Sequence, residues 1–179
     1  AESANGIRTQ TGGPGPRTRE EHSGAFDRDQ AIAALEDCAA KGENFLLWCA
    51  FSEPHPPFYP PKEYYERIPL DKVQMPPQRP ADAPPPHPAM LQRAGEWAHL
   101  TDYEVVQIIR AYWGLVALLD EYVGEVLAAL DRLGLREDTA IVWFSDHGDQ
   151  LWEHEMFLKF QMREASLRVP LMIAGPGIE

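Results

Sequence analysis

The feature that most constrains the fold is a helical pattern that continues without a break from position 102 to position 133. Apolar residues recur there at intervals of three and four, which places them along one face of an α-helix. Thr101 or Asp102 can cap the start, and Gly134 stands where a C-terminal glycine is favoured. The pattern therefore predicts one long helix with a continuous apolar face.

Three apolar segments predict strands. Residues 45–51 and 140–144 are continuously apolar, which is typical of strands covered on both faces, and residues 169–174 form a third segment. A shorter helical pattern, with Asp27 as its predicted N-cap and an end near Gly42, leads into the first strand. A helix that leads into a buried strand favours an α/β fold with a layered sheet and flanking helices.

Two segments lack a regular pattern. Residues 6–24 are rich in glycine, proline and arginine, and they predict a loop or a frayed end. The stretch from Pro54 to Pro88 carries most of the 17 prolines. Because proline removes a backbone donor and is excluded from helix interiors, we expect a surface loop without a helix or strand. An ordered loop of this length is usually functional or a lid.

Composition narrows the range of partners. The 179 residues include 16 Lys and Arg against 28 Asp and Glu, a net charge of −12. Nucleic acids and anionic membranes favour basic proteins, so neither is an expected partner. No apolar run approaches the roughly 18–20 residues of a membrane span, and no secretory signal is visible, which is compatible with a cytoplasmic setting without showing one. Cys38 and Cys49 lack a metal-binding spacing and are predicted to be core thiols.

A polar cluster follows the second predicted strand. Ser145, Asp146, His147, Gly148 and Asp149 stand directly after it. Ligands of open α/β sheets bind beyond the carboxyl ends of strands, so site residues are expected here. Asp146 and His147 are good metal ligands, and Gly148 allows the backbone to turn sharply. On these residues alone, a metal site and a polar turn with a capping aspartate both remain open.

A second polar cluster follows the first predicted strand. His55 stands between Pro54 and Pro56, so its imidazole is either rigidly presented to a ligand or is an ordinary loop residue. Lys159 follows the Asp-His-Gly cluster along the chain. Where two such strand ends converge on one crevice, a metal cation, an imidazole and a lysine suit an anionic oxygen cluster such as sulfate or phosphate.

Several stretches carry a family resemblance. They are Phe-Ser-Glu-Pro-His-Pro-Pro-Phe at 51–58, Arg-Ala-Tyr-Trp-Gly and Leu-Asp-Glu-Tyr-Val-Gly within 110–124, Phe-Ser-Asp-His-Gly-Asp-Gln-Leu-Trp-Glu-His at 144–154, and Ser-Leu-Arg-Val-Pro-Leu-Met-Ile-Ala-Gly-Pro-Gly at 166–177. With them, residues 26–179 resemble the type I sulfatases of the alkaline phosphatase superfamily. The closely related phosphonate monoester hydrolases share the same stretches. The resemblance implies an alkaline phosphatase-like layered sheet with flanking helices, incomplete in this chain.

The resemblance implies roles for four residues. Asp146 and His147 match divalent-metal ligands, with calcium most often in sulfatases and manganese or zinc in some relatives. Lys159 matches the lysine that holds the sulfuryl or phosphoryl oxygens. His55 matches the histidine that contacts the same oxygens or protonates the leaving group. Cations aimed at oxygens on which charge accumulates stabilise the transition state.

Three residues near the Asp-His-Gly cluster are not assigned a direct role in the chemistry by preference. His154 is either a second metal ligand or, by preference, a residue that braces the loop. Asp149 is interpreted as a turn residue. Trp152 departs from the glycine that the family usually has at this place, which predicts either a changed loop or an indole that covers the pocket.

The family's nucleophile is missing from the sequence. Sulfatases use a formylglycine made from the cysteine or serine of Cys-x-Pro-x-Arg, and neither this motif nor the family's Asp-Asp pair of further metal ligands occurs here. We therefore expect residues 25–179 to be an interior portion of a longer catalytic domain, preceded by a flexible segment at 1–24. We expect the chain alone to be inactive, and to be poorly stable or to aggregate through open sheet edges.

The function predicted for the complete enzyme is metal-dependent hydrolysis of a small sulfuric ester. One alternative is a phosphonate monoester or phosphodiester hydrolase of the same superfamily. Others are a non-catalytic module that binds sulfated or phosphorylated ligands, a chain that complements a second polypeptide, and a plain α/β domain whose Asp-His-Gly is a turn. The sequence does not indicate the substrate alcohol, the compartment or the oligomeric state.

Overall fold

The computed structural model describes residues 12–80, 82, 95 and 97–178. Its helices and strands, in chain order, are α1 (Ser23–Lys41), α2 (Lys62–Arg67), α3 (Asp102–Arg132), β1 (Ile141–Phe144), α4 (Glu164–Leu167) and β2 (Leu171–Ala174). Short 3₁₀ turns lie at Arg19–Glu21, Leu70–Lys72, Arg136–Asp138 and Glu153–Glu155. Within the described residues, no helix has both the length and the apolarity needed to cross a membrane.

Helix α3 is the centre of the packing and confirms the predicted long helix. At its start the Thr101 side chain accepts from the Glu104 backbone N–H, and the Glu104 carboxylate accepts from Thr101 in return. At its end Gly134 adopts a left-handed φ of 70°. Both α1 and α2 pack against α3. The main core along it consists of Phe58, Tyr64, Tyr65, Trp97, Val105, Ile108, Ile109, Leu115, Leu118, Tyr122, Trp152, Met156 and Phe157, with Ala25, Val73 and Ala111.

Helix α1 begins at Ser23, so the prediction that Asp27 caps its start is wrong. The cap comes from elsewhere in the chain, because the Glu53 carboxylate accepts from the Gly24 backbone N–H and from the Ser23 hydroxyl. The end of α1 is as predicted, with Gly42 in a left-handed conformation at φ 65°. A cap supplied by a distant residue leaves no local signal in the sequence.

Residues 45–51 form an extended segment but no strand, which corrects the first strand prediction. Phe45 and Leu47 pack on a second, smaller core around Leu35, whereas Leu46 and Trp48 are 95% and 74% exposed. Exposure thus alternates as it does on an extended chain with one covered face. Among the described residues no backbone pairs with this segment, and its outer face is covered only in part, where the Trp48 ring meets the Phe144 ring at a centroid distance of 5.5 Å.

Strands β1 and β2 confirm the other two predicted strands. They pair antiparallel, with Ile141 opposite Ala174 and Phe144 opposite Leu171. The end of β1 therefore lies beside the start of β2. Val142 and Phe144 are about half exposed, so the predicted burial on both faces is not observed in the described part of the chain. Together the helices and this small sheet form an incomplete α/β arrangement.

The proline-rich segment contributes to the core instead of only covering it. It contains helix α2, and its Phe58, Tyr64 and Tyr65 side chains are buried. The prediction of a loop without helix is therefore wrong for 62–67, because Pro61 can precede a first helical turn without losing a hydrogen bond. Positions 81 and 83–88 of this predicted loop lie outside the described residues.

Part of the predicted N-terminal loop pairs with the proline-rich segment. Gly13 donates its backbone N–H to the Phe58 carbonyl at 3.1 Å, and Gly15 donates to the Pro60 carbonyl at 2.7 Å. Residues 1–11 of the predicted flexible segment lie outside the described residues. Both cysteines, Cys38 and Cys49, are free thiols that are half-buried, not fully in the core as predicted. Burial raises the pKa of the Cys49 thiol.

Candidate active site

Two loops carry the predicted site residues. The first follows the extended segment 45–51 and carries His55. The second connects β1 to α4 and carries Asp146, His147 and Lys159. His55 and Asp146 are exposed, while His147 and Lys159 are half-buried, so all four side chains are open to a small molecule from solvent.

His55 and Lys159 meet directly. The His55 Nε2 atom lies 3.2 Å from the Lys159 Nζ atom, and the His55 Nδ1 atom lies 2.8 Å from the Pro56 carbonyl oxygen. A carbonyl oxygen only accepts, so the network assigns the proton of the neutral ring to Nδ1. Nε2 then presents its lone pair to the lysine ammonium. The sequence prediction that two polar clusters converge is confirmed for this pair.

Asp146 and His147 form a second pair within the same loop. The Asp146 Oδ2 atom lies 3.4 Å from the His147 Nε2 atom, and His147 Nδ1 lies 2.9 Å from the Gly148 carbonyl oxygen. The carbonyl fixes the proton on Nδ1 and leaves Nε2 free to ligate. Ligands at roughly 2.0–2.6 Å from a divalent ion stand about 3 Å apart when adjacent, so the pair fits two neighbouring coordination positions.

The described residues supply only this pair to a metal. They contain no cluster of three or more His, Cys, Asp or Glu side chains that could hold an ion. A carboxylate oxygen with an imidazole nitrogen suits manganese or zinc better than calcium, because calcium and magnesium prefer all-oxygen shells. Two donors alone bind a metal weakly, since affinity depends on several well-placed ligands.

Asp149 organises the loop that carries these residues. Its Oδ1 atom accepts from the backbone N–H groups of Leu151 at 2.9 Å and Leu158 at 3.1 Å, which confirms the interpretation as a turn residue. Burial raises the pKa of the Asp149 carboxyl, against the lowering effect of those two hydrogen bonds and of the charges of His147 and Lys159. The carboxylate closes the loop directly before Lys159.

Further contacts hold the loop against helix α4. Gln150, fully buried, donates its side-chain amide to the Ser166 hydroxyl at 2.7 Å, and Gly148 donates its N–H to the Ser166 carbonyl. A Cβ atom on Gly148 would lie 1.9 Å from the Ala165 carbonyl oxygen. Glycine is thus required by this close approach. The predicted reason, a sharp turn, is not supported, because Gly148 is not among the residues with positive φ.

Trp152 lies in the core and does not cover the His55–Lys159 pair. It is 8% exposed, and its ring centroid lies 5.3 Å from that of Phe157. Its φ of 75° is a left-handed backbone conformation, which costs a non-glycine residue about 1 kcal/mol or more. The indole also lines a cavity of about 610 Å³ that neither His55 nor Lys159 lines.

His154 takes the loop-bracing place that the sequence favoured. Its backbone N–H donates to the Pro77 carbonyl at 3.2 Å, which ties the loop to the proline-rich segment. The buried Nδ1 atom of its ring has no hydrogen-bond partner in the part of the chain that the structure describes.

Sequence reasoning missed one buried carboxylate, that of Glu53. It is 8% exposed and is two residues from His55. Its Oε1 atom accepts from the Ser23 hydroxyl and the Gly24 N–H and lies 3.5 Å from His22 Nδ1. The available signal was an acidic residue between an apolar segment and a proline, next to the histidine that drew attention.

Comparisons with known proteins agree on one family. A family model described as Sulfatase matches residues 8–179. Choline-sulfatase from Rhizobium meliloti (strain 1021) is 35% identical over 144 residues, which cover 76% of the chain and 28% of that protein. Iduronate 2-sulfatase from Mus musculus is 34% identical over 170 residues, which cover 83% of the chain and 30% of that protein.

Solved structures agree on the fold. A phosphonate monoester hydrolase from Silicibacter pomeroyi superposes with a TM-score of 0.81 and 27% identity, over 100% of the chain and 37% of that structure. The fold is accordingly alkaline phosphatase-like. The chain spans about a third of the length of the proteins that it matches.

Proposed function

Because the chain belongs to the sulfatase family, we propose that the protein hydrolyses sulfate monoesters and that this chain supplies the cationic part of the active site. The observation that carries the proposal is the contact between His55 and Lys159. Two basic side chains that meet at a position open to solvent favour an anion beside them. A sulfuryl group there can accept hydrogen bonds from both.

The Lys159 ammonium contacts the non-bridging oxygens of the sulfuryl group in this proposal. Charge on these oxygens changes as the ester bond breaks, and a fixed cation nearby stabilises the transition state without reorganisation. The hydrogen bond from the Leu158 N–H to the Asp149 carboxylate supports this role, because Leu158 directly precedes Lys159 and its backbone is thereby held in place.

His55 donates a proton to the leaving oxygen in this proposal. Its Nδ1–H is already committed to the Pro56 carbonyl, so the ring can donate from Nε2 only as imidazolium. A bound sulfate ester brings negative charge to the cleft and stabilises that protonated form. Transfer of the Nε2 proton to the leaving alkoxide then completes bond cleavage.

Asp146 and His147 hold a divalent metal ion in this proposal, with calcium expected from the family and manganese or zinc as alternatives. Such an ion supplies Lewis-acid stabilisation of a developing charge. The formylglycine nucleophile of the family is not provided by these residues, because the sequence has no Cys-x-Pro-x-Arg. The chain on its own is therefore expected to show negligible turnover.

A phosphonate monoester hydrolase is the second candidate. It is favoured by the extent of the structural likeness, since the Silicibacter pomeroyi enzyme superposes on the whole chain. Phosphonate and sulfate esters both present anionic oxygens to a lysine and a histidine, so the residues of this cleft serve either substrate. A non-catalytic anion-binding role uses the same pair without turnover.

The test is turnover by the polypeptide encoded by the complete reading frame that contains this chain. Hydrolysis of 4-methylumbelliferyl sulfate is compared with that of a phenyl phosphonate ester in the presence of calcium or manganese. Lys159→Ala is expected to lower kcat by about 10²–10³ for each substrate. His55→Ala is expected to do so for an alkyl sulfate, whose leaving group needs a proton, whereas Lys62→Ala, at an exposed surface lysine, leaves kcat unchanged. Full activity of both site variants would refute the proposed roles.

A further inference from the structure

Among the described residues, Glu53 is the one buried carboxylate close to His55 that the proposed chemistry does not use. The Oε1 atom of this carboxylate contacts the Ser23 hydroxyl at 3.0 Å, the Gly24 N–H at 3.2 Å and the His22 imidazole at 3.5 Å. These partners form the start of helix α1. A carboxylate is stabilised there because the first N–H groups of a helix lack internal partners and carry partial positive charge.

The surroundings leave no freedom for this side chain. A Cβ atom on Gly24 would lie 2.8 Å from the Glu53 Oε2 atom and 2.7 Å from the Tyr122 ring, so the carboxylate and the ring fill the space that glycine leaves open. Burial alone would raise the pKa of Glu53, but the hydrogen bonds from His22, Gly24 and Ser23 keep it below its usual value. The ionised carboxylate is therefore the form that fits.

The other end of the His55 loop is also anchored. Phe58 is fully buried in the main core, and its carbonyl accepts from the Gly13 N–H. Between the two anchors, His55 donates its backbone N–H to the Ser52 carbonyl at 2.8 Å. The imidazole itself is exposed, so its position depends on the anchors and not on packing around the ring.

We infer that Glu53 is a positioning residue, which fixes His55 opposite Lys159 by clamping its loop to the start of helix α1. The clamping of the loop follows from the contacts of Glu53 and Phe58 described above. The consequence for turnover rests on the proposed function, in which His55 donates the proton to the leaving group. A displaced catalytic group costs roughly 10- to 100-fold in rate.

The first test measures the placement of His55 without reference to activity. Diethylpyrocarbonate modifies unprotonated imidazole nitrogens, and peptide mass spectrometry of the dilute chain reads the rate at each histidine. Exposed His99 serves as the internal reference. Glu53→Ala is expected to raise the His55 rate several-fold relative to His99, because the ring leaves the Pro56 carbonyl and Lys159. Glu53→Gln retains the Oε1 acceptor and is expected to restore the parent rate.

A control separates positioning from general stability. Leu35→Ala removes a buried side chain from the second core and is expected to lower the melting temperature without changing the His55 rate. If Glu53→Ala fails to fold, the double variant His22→Gln with Ser23→Ala removes two partners of Oε1 and takes its place. The inference is overturned if the His55 rate stays at the parent value in these variants, or rises equally in Leu35→Ala.

The second test uses the complete reading frame. Glu53→Ala is expected to lower kcat about 10- to 100-fold for alkyl sulfates, because their leaving groups need a proton. The loss should be much smaller for 4-methylumbelliferyl sulfate. Little change in KM is expected for either substrate. If His55→Ala is fully active while the modification rates change as expected, the proposed function of His55 fails and the positioning role stands. Unchanged modification rates overturn the positioning role whatever the kinetics show.

Discussion

The His55 Nε2 atom lies 3.2 Å from the Lys159 Nζ atom, although 104 positions separate the two residues in sequence. The contact arises because two loops, each held by its own backbone and side-chain hydrogen bonds, end beside one another. It places two basic groups together in a chain of net charge −12. Nearby groups set the field inside a cleft, so an acidic protein can hold an anion there.

Lys159 should dominate the binding of a simple anion. We expect Lys159→Ala to weaken the affinity of the chain for inorganic sulfate about tenfold or more, because a hydrogen bond to a charged group is worth roughly 1.5–3 kcal/mol. Isothermal titration calorimetry at low ionic strength measures the change. Lys62→Ala, at an exposed lysine that pairs with Glu66, is the matched control and should bind as the parent does. Equal affinities for parent and Lys159→Ala would contradict the assignment.

Gly148 and Gly124 should respond in opposite directions to alanine. Gly148→Ala places a Cβ atom 1.9 Å from the Ala165 carbonyl oxygen, and a backbone atom cannot move away cheaply, so a loss of several kcal/mol is expected. Gly124 lies within α3 with nothing inside 4 Å of an added Cβ, and alanine should stabilise the chain there by about 0.5–1 kcal/mol. Urea unfolding monitored by circular dichroism compares the two. A neutral Gly148→Ala would show that the loop is not packed on α4 as described.

Patterns that depend on neighbouring residues were predicted well from the sequence. Helix α3 was predicted because its apolar period and its Thr101 cap are both local, and the same holds for the end of α1 at Gly42. The start of α1 was not predicted, because the carboxylate that caps it belongs to Glu53, 29 positions from Gly24 in sequence. An apolar run reports only that a segment avoids water, so the sequence of 45–51 did not reveal which of its faces is covered.

For the site as well, local motifs were predictable from the sequence and tertiary contacts were not. The motifs and the family resemblance indicated His55, Asp146, His147 and Lys159, and the structure shows two contacts among them, His55 with Lys159 and Asp146 with His147. The contacts that hold them were not predictable, because the Ser166 hydroxyl meets Gln150, and the Leu158 N–H meets Asp149, only in the folded chain. The reason for a glycine at position 148 was likewise a tertiary contact, with helix α4.

Asp149 should control the order of the site loop. Asp149→Ala leaves the Leu151 and Leu158 N–H groups without their acceptor, at a cost of about 1–3 kcal/mol for buried donors. Asp149→Asn keeps one carbonyl oxygen and should retain most of this stability. Hydrogen exchange at the two amides is the direct measurement, and it should accelerate in the alanine variant only. Exchange at both amides that is as slow in Asp149→Ala as in the parent would show that the carboxylate does not close the loop.

Asp146 and His147 should give the chain a weak affinity for divalent metal. We expect dissociation constants no tighter than about millimolar for calcium, the range typical of sites with few ligands. Asp146→Asn should abolish the heat of binding, while Asp120→Asn, at an exposed carboxylate on α3, should not change it. Manganese is expected to bind more tightly than calcium because His147 offers a nitrogen. Tight binding that survives Asp146→Asn would place the metal elsewhere.

Glu53 should contribute to stability in a way that depends on pH. Its pKa in the folded protein lies below the ordinary value of 4.5, because the hydrogen bonds from His22, Gly24 and Ser23 outweigh burial. A carboxylate with a lowered pKa stabilises the fold fully above its unfolded pKa, and this contribution is lost as the pH falls through its folded pKa. The difference in melting temperature between parent and Glu53→Gln should therefore be largest near neutral pH and should shrink below about pH 4.5. Glu63→Gln, at an exposed glutamate on α2, controls for a general charge effect and should show a small difference that does not vary with pH. A difference in melting temperature between parent and Glu53→Gln that persists or grows as the pH falls would contradict the assignment of an ionised carboxylate at the start of α1.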